Sequence, residues 1–189
     1  MDATSPQKHI VRSLYDWEIL EARRVFGTSL KYDRVRVHEN ATWTNAMDRL
    51  GRRLKRMPAL ETHNAITLGN HCFFPVRLPD RLQLPGDGEH YKVCWLVHEL
   101  THAWQYQHMG WIYLVKALSA QFRQKGSAYD FGHADGLKKR RKEGWDLRKF
   151  NLEQQGDIAR SYYERLCRGE DVAEWLPYID ELQDRIRMV

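Results

Sequence analysis

Between residues 91 and 109, Val93, Leu96, Val97, Leu100, Ala103 and Trp104 recur every three or four positions, the stripe of a largely buried helix. The same stretch carries His98-Glu99-Leu100-Thr101-His102. Histidines four apart project from one face of a helix, near enough to share a small cation, and Glu99 stands beside them. An HExxH arrangement therefore combines a zinc site with a general base, which would take a proton from the attacking water and hand it to the leaving amine. The plain alternative is a helix whose polar face happens to show two histidines and a glutamate. Beside so apolar a stripe, these groups are costly to enclose unless something satisfies them.

A catalytic zinc needs a third protein ligand and an open fourth position. The segment Asn151-Leu152-Glu153-Gln154-Gln155-Gly156-Asp157 offers Glu153 and Asp157, again four apart. One of them can ligate the ion while the other accepts a hydrogen bond from a ligand histidine and fixes its tautomer. The competing reading is an acidic, capped helix face. His108 is the runner-up ligand, although six residues after His102 it falls on a poor helical angle. The longer HExxHxxGxxH pattern is broken, since Gln105 stands where its glycine would be. Cys94 lies one turn before His98 and is read as a small hydrophobe of the core. For stabilising an oxyanion, His133, Tyr129 and Tyr113 are candidates, against the alternative that each is simply packed or solvated.

Composition bounds the rest. With 189 residues, 42% hydrophobic and seven tryptophans, a single domain has enough core to do without disulfides. Three cysteines, Cys72, Cys94 and Cys167, lack any paired spacing, which points to reduced, cytoplasmic synthesis. The N-terminus has no apolar core of the kind a cleaved signal requires, and no apolar run reaches membrane-spanning length. Export, if it happens, is expected by a route that needs no signal peptide. The net charge of +5 favours acidic surfaces such as cell-wall polymers, while the run Lys138 to Lys142 reads as a solvated loop, with anionic-surface binding the alternative, and a nucleic-acid partner is not expected. Nothing in the chain matches a Ser-His-Asp or Cys-His nucleophile or a phosphate-binding glycine loop.

The spacing predicts helices over 14–26, 42–54, 91–109, 111–122, 150–167 and 177–188, the last with Pro177 in its first turn. Strands are expected over 32–38, 65–68 and 72–76, the latter two joined as a hairpin through Gly69-Asn70. Residues 79–90 and 126–144 read as loops. The expected architecture is one α+β domain over 1–189. A strand-containing half at about 1–90 holds a small antiparallel sheet, and a helical half at about 91–189 carries the HExxH helix.

The blocks Val35-Arg36-Val37-His38, Ala65-Ile66-Thr67-Leu68-Gly69-Asn70 with Phe73-Phe74, Leu96 through Gln107, and Phe150-Asn151-Leu152-Glu153-Gln154-Gln155-Gly156-Asp157 resemble the bacterial core metallopeptidase domain linked to contractile injection systems. Relatives of that domain occur near type VI secretion spike proteins and in polymorphic toxins. The resemblance implies a zincin-like fold of the gluzincin kind and a bacterial source. It implies one Zn2+ held by His98, His102 and Glu153, with Glu99 as general base and Asp157 orienting a ligand histidine. Its expected activity is peptide or amide hydrolysis on a peptide or protein substrate, with a secretion spike or toxin protein as a further partner. Gly156 departs from the family pattern, which prefers alanine there; read from helix propensity, the change costs about 1 kcal/mol and touches no ligand. Two rival functions stand beside this one: a non-catalytic, zinc-stabilised module that docks on a spike or cargo, and a hydrolase of peptidoglycan cross-links.

Overall fold

The computed structural model describes residues 8–44, 64–110 and 130–183. Among them four short strands, β1 (Ile10–Arg12), β2 (Arg36–Glu39), β3 (Ile66–Leu68) and β4 (His71–Phe73), form one sheet in the order β1-β2-β4-β3. The helices are α1 (Asp16–Phe26), α2 (His90–Met109), α3 (His133–Lys142), α4 (Leu152–Cys167) and α5 (Leu176–Gln183). The architecture is α+β, with a small sheet and a mostly helical second half.

The sheet differs from expectation in one respect. β1 with β2 and β3 with β4 pair antiparallel, the latter as the predicted hairpin, but β2 and β4 run parallel, so the sheet is mixed rather than antiparallel. The alternation that identifies a strand does not fix the direction of its neighbour. β1 was not foreseen, being too short to show a period. The strand expected over 32–38 begins only at Arg36, because Tyr32–Arg34 closes into a 3₁₀ turn whose Tyr32 carbonyl accepts from the Val35 amide at 3.1 Å. Arg12 ties the sheet to α1: its guanidinium bonds Glu39 at 2.8 Å and Glu18 at 2.7 and 2.8 Å, while Glu18 also accepts from the Tyr15 amide at the head of α1.

The stretch 126–144, expected to be loop, contains α3 from His133 onward. Lysine and arginine are good helix formers, and Leu137 anchors the helix by burying its side chain completely. Within it Gly136 serves packing, since a Cβ there would sit 2.5 Å from the Phe131 carbonyl oxygen. The expected helices over 42–54 and 111–122 lie, beyond residue 44, outside the described residues, as does the end of the one over 177–188.

One buried cluster runs from Leu14 to Leu182 and draws on both halves of the chain. At its centre lies α2, whose Trp104 is fully buried and donates from Nε1 to Ser29 Oγ at 2.9 Å. The single hydroxyl hydrogen of Ser29 is shared between the Phe26 and Leu182 carbonyls, at 2.7 and 2.6 Å, joining α1, α2 and α5. The most extensive helix contact among the described residues is α2 on α4, and this contact positions the site. No described helix is long and apolar enough to cross a membrane.

Candidate metal centre

α4 begins with a capping box. Asn151 Oδ1 accepts from the Gln154 amide at 2.8 Å, and Gln154 Oε1 accepts from the Asn151 amide at 3.2 Å, satisfying two amides that a helix start leaves orphaned. Glu153 thereby sits in the first turn, where the helix dipole favours a carboxylate. It faces the apolar-backed helix α2 at the level of His98 and His102. His98 Nε2 lies 3.1 Å from His102 Nε2, 3.4 Å from Glu153 Oε2, and His102 Nε2 lies 3.6 Å from the same oxygen. Tetrahedral zinc with bonds of about 2.0–2.1 Å separates its ligand atoms by about 3.3 Å. The three edges of this triangle bracket that value, so the donor set fits the ion in both chemistry and spacing.

Charge points the same way. Glu99, Asp157 and the two histidines are buried, and Glu153 is half-buried, its side chain 21% exposed. Burial alone would raise the Glu153 pKa, but hydrogen bonds and charges from His102 and His98 outweigh it and hold the carboxyl well below the usual range. For His98, burial disfavours the imidazolium, yet the Asp157 and Glu153 carboxylates outweigh it and push the ring well above an ordinary imidazole; His102 moves the same way. Carboxylates outnumber the imidazoles here, so the pocket is built to hold positive charge, as protons or as a cation.

Asp157 Oδ1 lies 3.2 Å from His98 Nδ1. The contact is ion-pair close but off the line of a full hydrogen bond, and His98 Nδ1 has no other buried partner. Asp157 also pairs with Arg160 at 3.2 Å. Glu99 is oriented from the sheet, because Thr67 on β3 donates its hydroxyl to Glu99 Oε2 at 2.7 Å. His102 Nδ1 meets Gln105 Oε1 at 2.9 Å.

Gly156 makes the close approach of α4 possible. A Cβ there would lie 2.8 Å from His98 Cε1 and 2.9 Å from its Nδ1. The expectation that this position touches no ligand is therefore corrected: the missing methyl is the space that the His98 ring fills.

The other candidates fall elsewhere. His108 pairs its Nδ1 with the Trp104 carbonyl at 2.8 Å and stacks on the Trp104 ring at 4.3 Å, which gives the runner-up ligand a local role. Cys94 is buried with its Sγ 3.5 Å from His90 Nε2, and burial pushes its thiol up to about 12. His133 opens α3 at an exposed position with φ 51° and packs beside Phe131 at 5.3 Å. Tyr129 and Tyr113 lie outside the described residues. Sequence reasoning missed Thr67, Gln105 and Gln155 as parts of the site.

Fold and site together define an α+β domain in which two buried histidines and a half-buried glutamate stand close enough to hold a cation, with a further carboxylate beside them. No family model and no solved structure matches the chain. Among curated proteins it is similar to the type VI secretion system spike protein VgrG2b of Pseudomonas aeruginosa, 29% identical over 165 residues, which cover 84% of this chain. The matched part is 13% of that spike protein's length.

Proposed function

We propose that this chain is a zincin-like, zinc-dependent peptidase domain that works with a type VI secretion machine. The observation that carries the chemistry is the triangle of His98, His102 and Glu153 donor atoms, with Glu99 next to it on the same helix. The similarity to a spike protein supports the secretion setting.

His98, His102 and Glu153 would hold zinc, and the chemistry it would supply is Lewis-acid polarisation of the scissile carbonyl and acidification of the attacking water. Glu99, fixed through Oε2 by Thr67, keeps its other oxygen for the attacking water, removes the proton as the carbonyl carbon is attacked, and delivers it to the amine nitrogen as the C–N bond breaks. Asp157 steadies the His98 ring. Strand β3, at the edge of the sheet among the described residues and next to Glu99, offers backbone groups along which an extended peptide can align.

The test is metal content by mass spectrometry on freshly purified protein, for wild type and Glu153→Ala, followed by digestion of denatured casein and of purified peptidoglycan. Close to one zinc per wild-type chain, lost in the variant, with casein cleaved, supports the proposal. Peptidoglycan cleavage alone would redirect it to the cell wall. Zinc bound without hydrolysis of either substrate would leave a binding module.

A further inference from the structure

Behind His102 lies a chain of buried amides whose direction is fixed at its far end. Gln155 Nε2 meets two backbone carbonyls, Leu147 at 3.1 Å and Phe150 at 3.0 Å. A carbonyl oxygen only accepts, so the amide nitrogen of Gln155 must face them and its Oε1 must point the other way. That oxygen receives Gln105 Nε2 at 2.9 Å, and the same nitrogen donates to the Leu152 carbonyl at 3.0 Å. Gln105 therefore has both amide hydrogens engaged and presents Oε1, an acceptor, to His102 Nδ1 at 2.9 Å. His102 must donate from Nδ1, so in the neutral ring that a metal requires it is Nε2 that carries the lone pair, on the side of Glu153 and His98.

Gln105 and Gln155 are 0% and 3% exposed, so water does not compete with the relay. Burying two primary amides in an apolar helix contact is costly unless every hydrogen-bonding group finds a partner. Gln105 and Gln155 achieve this only in the one orientation just derived.

We infer that Gln105 and Gln155 form an amide relay that locks His102 in the tautomer whose Nε2 can take a metal ion. Both are positioning residues, and neither touches the metal or the substrate. The relay also links the ligand helix α2 to the 3₁₀ turn Leu147–Lys149 and the first turn of α4, so the two helices that supply the ligands are held in register by the same bonds. The inference deepens the zinc reading proposed above and rests on it for its metal-binding consequence.

The experiment uses the full chain labelled with ¹⁵N-histidine, loaded with zinc, and records long-range ¹H–¹⁵N correlations of the rings. It is paired with zinc affinity from competition with a chromophoric chelator for wild type, Gln105→Met and Gln155→Met. The expected result is a protonated, slowly exchanging Nδ1 and an unprotonated Nε2 on His102. Gln105→Met should weaken zinc by about 10- to 100-fold. Gln155→Met, which removes no group in contact with His102, should weaken it by a smaller factor. Zinc on His102 Nδ1, or a Gln105→Met chain that folds and binds zinc as tightly as wild type, would overturn the relay. A wild-type chain that takes up no zinc would instead overturn the metal reading. The relay is then decided on the metal-free wild type, where a His102 Nδ1–H held in a hydrogen bond upholds it and a freely exchanging one rejects it.

Discussion

Glu99 and Gly156 separate chemistry from architecture. Glu99→Gln keeps the shape of the side chain and leaves His98, His102 and Glu153 in place, so zinc content should stay at the wild-type level. Hydrolysis should fall by about 10²- to 10⁴-fold, the usual worth of a positioned acid–base group; a casein assay on zinc-verified protein measures it. Gly156→Ala sets two effects of opposite sign against each other. Alanine favours the helix by about 1 kcal/mol, but its methyl would stand 2.8 Å from His98 Cε1. The ring is the movable partner, so the helix survives and the ligand is displaced. The expected signature is weaker zinc binding in the chelator assay, with the melting temperature of the metal-free protein unchanged or higher. The motif on α2 and the acidic pair on α4 were legible in the sequence because helical spacing alone places them. Gly156 was not, since propensity describes a helix in isolation and the clash belongs to two helices together. Gln105 was visible only as a break in a longer pattern; a glutamine inside an apolar stripe three residues after a ligand histidine was the signal.

Among the elements, α4 depends on its cap. Asn151→Ala removes the acceptor for the Gln154 amide and should cost about 1 kcal/mol, a fall in melting temperature of about 2–4 °C in a chain of this size. Because Glu153 sits in the same turn, zinc affinity should fall with it, which calorimetric titration can record. The sheet has a different sensitivity. On its outer face, His38 Nε2 lies 2.8 Å from His71 Nδ1 and its Nδ1 lies 3.3 Å from His9 Nε2, with the ring stacked on Phe73. Burial, reinforced by His71 and His9, pulls the His38 pKa down to about 4 from an ordinary 6.5. Between those values the unfolded chain binds a proton that the folded chain refuses, so stability is complete above pH 6.5 and declines as the pH falls toward 4. Urea midpoints across that range should decline for wild type and flatten for His38→Phe. The elements themselves were legible where a period was long enough to register, as in α1, α2 and α4. The charged run of α3 hid a helix because one buried leucine, Leu137, supplies too little pattern to announce it, and the parallel pairing of β2 with β4 depends on a chain path that no local period encodes.

For the molecule as a whole, the α2 and α4 interface is the largest helix contact among the described residues and also carries the proposed metal ligands, so on that proposal binding and folding are coupled. Zinc at 100-fold over its dissociation constant should add about 2.7 kcal/mol, or roughly 5–10 °C at this chain length. Thermal melts with and without a chelator should show that gap in wild type and no gap in Glu153→Ala. The α+β class could be read from the order of strand-like and helix-like segments. The depth of the site could not, since burial of Glu99, Gln105 and Asp157 follows from how the helices dock.

Among the described residues, the proposed ligands and the groups that support them lie mostly in two short stretches, 98–105 and 147–157, with Thr67 on Glu99 and Arg160 on Asp157 as outlying supports. A centre this condensed is portable. Two helices crossing at the same register on an unrelated scaffold would need only those stretches grafted onto them, and a transplant that captured zinc would show that the rest of the chain is not needed to hold the ion.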